Sequence, residues 1–182
     1  MSLLDIAKSI KKEGFDPRKD SANGPAPIPA GTYPVVLKKA TFNVSDKGWE
    51  SLGYQFEIRG GDYSGRSEFA TFGTLTEWNG KDLNWAVERT MKFFIKALVL
   101  AGDSMQGNEE DGKALEEALK RKAVGSYYNL VISVTKGKDG REFRNYDLEE
   151  EAQPLTEADI DDDDLPFEEI TSSGSLMKLM KD

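Results

Sequence analysis

Basic and aromatic side chains interleave near the end of the folded part of this sequence, as Lys136, Lys138, Arg141, Phe143, Arg144 and Tyr146. That mixture is what sequence-tolerant capture of a single nucleic-acid strand requires. Bases stack on aromatic faces, and cations follow the phosphate path. A second set lies upstream: Lys38, Lys39, Arg59 and Arg66, with Trp49 in the polar turn 46–50 and Trp78 in the loop 76–80. Trp85, Arg89, Lys92 and Lys96 recur at helical spacing opposite an apolar stripe. A stripe of bases alone reads as a solvated face, but a tryptophan within it is less ordinary. Lys120-Arg121-Lys122 reads as a cluster favoured by a helix C-terminus. Arg141 and Arg144 are expected to meet phosphates and to add little to folding, as exposed charges do.

Catalytic chemistry is poorly provided for. The sequence has no cysteine and no histidine. That excludes disulfides, thiol nucleophiles, Ser-His-Asp triads, and zinc sites of thiolate or imidazole. No complete Gly-x-x-x-x-Gly-Lys-Ser/Thr phosphate loop occurs, since Ala114 follows Gly112-Lys113 where the hydroxyl would stand, and Gly60-Gly61 and Gly73 fit turns. The clustered aspartates near the C-terminus lack the glycine and ligand spacing of a calcium loop. The expectation is a binding protein without catalysis, cofactor or metal.

Charge is unevenly placed. Of 182 residues, 38% are apolar and 31% charged, and the net charge is −9. Residues 1–29 carry net +1, residues 30–148 net 0, and residues 149–182 net −10. The acidity therefore belongs to the last segment, and a neutral body can still hold a basic patch. Blocks of like charge repel themselves and are often interaction tails.

The elements that must carry these residues follow from periodicity. Leu3, Ile6 and Ile10 share one helical face, and residues 16–31 have the Pro/Gly composition of a linker. Tyr33, Val35 and Leu37 alternate over Thr32 to Ala40, and Leu52, Tyr54, Phe56 and Ile58 alternate again, so all seven are assigned to the core. A third strand is expected at Arg66 to Phe72, with the facing of Phe69 and Phe72 open. Leu83, Val87, Met91, Phe94, Ile95 and Leu98 predict a helix over Asp82 to Ala101, stopped at Gly102. A second helix is expected over Glu109 to Lys122. Tyr128 to Val134 and Glu142 to Leu148 then pair through the turn 136–140. Three strands, helices and two strands make a β-rich α+β fold. Its order fits an OB-fold-like five-stranded barrel with a helical insertion between the third and fourth strands. A generic α+β domain has the same order. The divisions expected are residues 1–29 (helix and linker), 30–148 (nucleic-acid-binding body) and 149–182 (disordered acidic tail).

The tail holds the most specific motif. Asp161-Asp162-Asp163-Asp164-Leu165-Pro166-Phe167 resembles the C-terminal tip of bacterial single-stranded DNA-binding proteins. The resemblance implies recruitment of replication or recombination proteins. Phe167 and Leu165 would enter an apolar pocket, Pro166 would limit the freedom lost, and the aspartates would meet basic residues around it. Here fifteen residues follow Phe167, unlike the family, in which the phenylalanine is terminal. The body resembles a group of phage-encoded single-stranded DNA-binding proteins through Gly31-Thr32-Tyr33-Pro34-Val35-Val36, Gly65-Arg66, and Tyr127 to Tyr146.

These readings converge on a sequence-tolerant single-stranded DNA-binding protein of DNA replication or recombination. The alternative is an acidic adaptor or DNA-mimic inhibitor that binds no nucleic acid. No secretory or membrane-spanning run is read, so a cytoplasmic protein is expected, in the host cytoplasm if phage-encoded. Homo-oligomerisation is left open.

Overall fold

The computed structural model describes residues 2–155. The aspartate-rich motif with Leu165, Pro166 and Phe167 lies outside them. The chain divides into two compact units, Met1–Ala30 and one that begins at Gly31.

The first unit contains α1 (Leu3–Lys12). Ser2 starts it with a capping box. Its hydroxyl accepts from the Asp5 N–H, and the Asp5 carboxylate accepts from the Ser2 N–H, each at 3.1 Å. Two otherwise orphaned donors are thereby satisfied. Lys11 and Lys12 in the last turn complement the helix dipole.

The second unit is built on a five-stranded antiparallel sheet. Its strands are β1 (Gly31–Val44), β2 (Glu50–Ile58), β3 (Ser67–Gly73), β6 (Tyr127–Lys136) and β7 (Glu142–Glu149). A short hairpin, β4 (Glu77–Trp78) and β5 (Lys81–Asp82), and two helices, α2 (Asn84–Leu100) and α3 (Gly112–Arg121), come between β3 and β6. Sheet order is β3-β2-β1-β6-β7. The fold is β-rich α+β, but the expected barrel is not closed. Among the described residues no backbone ladder joins β3 to β7, because a helical insertion and hairpin turn leave each an edge.

Alternation decides which face is buried. On β2, Leu52, Tyr54, Phe56 and Ile58 point inward, as expected. On β1, Val35 and Leu37 are buried, then a register shift between Leu37 and Lys39 carries the inward position to Ala40. This bulge leaves two consecutive lysines, Lys38 and Lys39, exposed. Tyr33, expected in the core, is only half-buried and meets the edge of Tyr63 at 5.8 Å. On β3 the question left open is settled: Ala70 and Phe72 are inward, and Phe69 is 62% exposed.

α2 covers the sheet with Phe93, Phe94, Ala97 and Leu98. Phe93 lies 4.9 Å from the Tyr54 ring and 4.5 Å from Phe72. Buried Tyr128 donates its hydroxyl to the Ala97 carbonyl at 2.6 Å, which offsets the cost of burying it. Ile95, expected on the apolar stripe, is exposed, and Phe93 takes the inward place. Gly102, at φ 82°, ends the helix in the left-handed conformation that glycine tolerates.

α3 begins three residues later than expected. Asp111 caps it by accepting from the Ala114 N–H at 2.8 Å, while Glu109 accepts from the N–H groups of Gln106 and Gly107 in the preceding loop. It covers the half of β1 that β6 does not pair. There the buried Glu116 accepts from the Phe42 N–H at 2.8 Å and forms ion pairs with Lys113 and Lys120. These donors pull the Glu116 carboxyl down to about 2.

Candidate nucleic-acid interface

The outward face of β1, β2 and β3 carries the residues that alternation turns away from the core. Lys39, Thr41, Asn43, Gly53, Gln55, Phe69 and Thr71 line a shallow concavity there. Phe69 presents an aromatic face among polar groups, with Lys39 nearby. Gly53 in mid-strand leaves bare backbone, so a flat ligand can approach closely. Lys39 has no ion-pair partner among the described residues. Lys38 lies beside it and reaches Glu57 at 3.9 Å.

A groove separates the two sheet edges. It is lined from β3 by Thr71 and Phe72, from α2 by Trp85 and Arg89, and from the β6–β7 hairpin by Thr135 and residues 143–146. Thr71 therefore borders both concavities. At the groove floor Arg144 donates twice to one oxygen of Glu68, at 3.0 and 2.7 Å. Tyr146 donates its hydroxyl to the same oxygen at 2.5 Å. Burial, with the Glu68 carboxylate beside it, raises the Tyr146 hydroxyl above its ordinary value, so it stays a donor. This latch links β3 to β7 through side chains where no backbone ladder does.

The structure distributes the sequence-predicted residues among six places. Phe143, Arg144 and Tyr146 meet at the groove with Trp85 and Arg89. Phe143 is 48% exposed, and its ring leans on Gly137, where a Cβ would come within 2.9 Å. Lys136, Lys138 and Arg141 are exposed on the hairpin, with Arg141 held by Asp139 at 3.1 Å. Lys39 shares the outward concavity with Phe69. Lys38 and Arg59 line a different hollow with Tyr127 and Gly125. Arg59 is already engaged, 3.8 Å above the Tyr127 ring and 3.1 Å from Glu151. Arg66 is half-buried, its guanidinium 5.8 Å from the Tyr63 ring.

Trp49 and Trp78 form a pair of their own, edge to face at 5.4 Å. Both are half-buried. The Trp49 ring lies so close over Gly73 that a Cβ there would be 2.6 Å away. Trp78 sits on β4, which pairs with β5 around Asn79 and Gly80, both at positive φ. That is the geometry of a tight hairpin turn, and Asn-Gly is its sequence signature. The loop expected at 76–80 is thus a hairpin that positions Trp78 on Trp49.

Phe69 is one of the two aromatic residues, with Phe72, whose facing the sequence leaves open, and Gln55, Thr41, Asn43 and Thr71 carry no signal beyond their alternation. The chain matches no protein-family model and no curated protein.

Proposed function

We propose that this chain is a sequence-tolerant single-stranded DNA-binding protein of DNA replication or recombination, acting without catalysis. The observation that carries the reading is Phe69. It is a large aromatic, 62% exposed, on the edge strand of a polar sheet face that also carries Lys39, across Gln55 of β2. So exposed a ring gains little from burial, and a stacking platform on the same face as a cation is what a single strand needs. The order β3-β2-β1-β6-β7, with helices before β6, supports an OB-like body. In OB folds the face of the second and third strands takes oligonucleotides. The side-chain latch between β3 and β7 is consistent with a partly open barrel of that class. The acidic segment with Asp161–Asp164 and Leu165-Pro166-Phe167 is read as the part that recruits partner proteins.

The test is a titration of the full chain with single-stranded and duplex oligonucleotides. Single strands should bind more tightly than duplex, with little sequence preference. Lys39, Lys136 and Lys138 have no ion-pair partner among the described residues. If each meets one phosphate, log affinity should fall against log salt with a slope of about −2. Phe69→Ala should weaken binding by about 1–3 kcal/mol, the worth of one stacked base. Equal affinity for duplex, or an unaffected Phe69→Ala variant, rejects the reading.

A further inference from the structure

We infer that the groove between the β3 and β7 edges is a second subsite for the same strand, in which Trp85 stacks a base and Arg89 meets an adjacent phosphate. The inference rests on the single-strand reading of the outward face and extends it onto a helix.

The first observation is exposure. Trp85 is the second residue of α2 and is 64% exposed, whereas the other two tryptophans pack on each other. A helix gains nothing from leaving so large an apolar surface in water.

The second is charge. Arg89 is one turn along from Trp85, its guanidinium 5.5 Å from the indole ring. On the same stripe Lys92 is paired with Glu88 at 2.9 Å and Lys96 with Asp147 at 2.7 Å. Arg89 has no carboxylate partner among the described residues, so its charge is the one left for a ligand. An Arg packed against an indole presents a cation at the margin of a stacking face, where a nucleotide places its phosphate.

The third is the floor. Arg144 is neutralised by Glu68, so the bottom of the groove is a closed hydrogen-bonded pair. The half-exposed Phe143 stands on its other wall. The arrangement offers aromatic walls and one free cation, which suits a base with its phosphate better than an acidic peptide, for which several free cations would be needed.

The fourth is continuity. Thr71 borders both the Phe69 concavity and this groove. A strand stacked on Phe69 passes over Thr71 to reach Trp85 without crossing another element.

Two site lengths follow. A short oligomer occupies the outward face alone, and a longer one also fills the groove. The test uses the full chain and labelled oligothymidylates of about 4 and about 16 nucleotides, which bracket what one such module covers, followed by anisotropy. Trp85→Ala should weaken the long oligomer about five-fold or more and leave the short one unchanged, the effect of losing one stacked base. Trp85→Phe, which keeps a stacking face, should restore most of the long-oligomer affinity. Arg89→Ala should reduce the salt slope for the long oligomer by about 0.7, one phosphate contact on a single strand. Thermal melts establish that each variant is folded, which the exposure of both side chains favours. Unchanged long-oligomer affinity in Trp85→Ala overturns the subsite, and so does an equal loss at both lengths. Failure of the wild-type chain to bind either oligomer overturns instead the reading on which the subsite rests.

Discussion

Glu68 determines what Arg144 is able to do. By residue type Arg144 belongs with Arg141 as a phosphate contact, but its side chain is only 28% exposed and its guanidinium is spent on a carboxylate 76 positions away. No local pattern in the sequence discloses such a partner. Arg144→Ala should therefore lower the melting temperature, because it leaves the nearly buried Glu68 carboxylate without its cation. A loss of about 1–3 kcal/mol is expected. Arg141→Ala, on an exposed side chain, should change stability by less than about 0.5 kcal/mol. Denaturant unfolding of the two variants separates them, and equal stability would show that the latch contributes nothing. Glu116 is the other carboxylate whose role is set by its surroundings. Its carboxyl titrates near 2 in the folded chain against 4.5 for an unperturbed one. Its contribution is thus complete above about pH 4.5 and is lost as pH falls toward 2. Glu116→Gln should flatten the acid limb of the stability profile in that window while costing less at neutral pH than Glu116→Ala, which leaves the Phe42 N–H without an acceptor. An unchanged acid limb in Glu116→Gln would place the acid sensitivity elsewhere.

At the scale of elements, the helices and principal strands were legible because each buries one periodic face. β2, β6 and the body of α2 lie where alternation and helical spacing put them. What escaped was set by contacts between elements. The facing of β3 depends on Phe72 meeting Tyr54 and Phe93, since Phe69 and Phe72 are equivalent as sequence. The β4–β5 hairpin reads as a loop from sequence: Asn79-Gly80 makes its turn, but its strands are too short to show alternation. Of the candidate site, the β7 aromatics and Lys39 were visible by type. Trp49, Trp78 and Arg59 were visible too, yet they are engaged in packing and pairing. Contacts of the body run past residue 148. β7 reaches Glu149, Glu151 holds Arg59, and the Gln153 side chain donates to the Leu100 and Tyr127 carbonyls while accepting from the Tyr127 N–H. Truncation after Leu148 should therefore destabilise the fold, whereas truncation after Leu155 should not. The second cut removes net −7 and should tighten single-strand binding most at low salt, where screening is weakest. Calorimetry and titration of both truncations check this. A chain ending at Leu155 that unfolds, or that binds single strands more weakly, would refute the division.

For the whole molecule, the latch between β3 and β7 has a consequence for solubility. A sheet that does not close has two rows of unpaired backbone groups, and such rows recruit strands from other copies. Here each edge faces the other across a groove, and Glu68, Arg144 and Tyr146 place charge and a polar ring between them. A foreign strand seeking either edge would have to bury an ion pair to dock. The chain can thus leave an aromatic-walled groove open to a ligand without offering the same opening to itself. Removing the latch takes away that protection even where the fold survives. An Arg144→Ala chain should scatter light increasingly with concentration and incubation under conditions in which the wild-type chain stays clear, and a chain that remained equally clear would show that the edges are guarded by something other than this cluster.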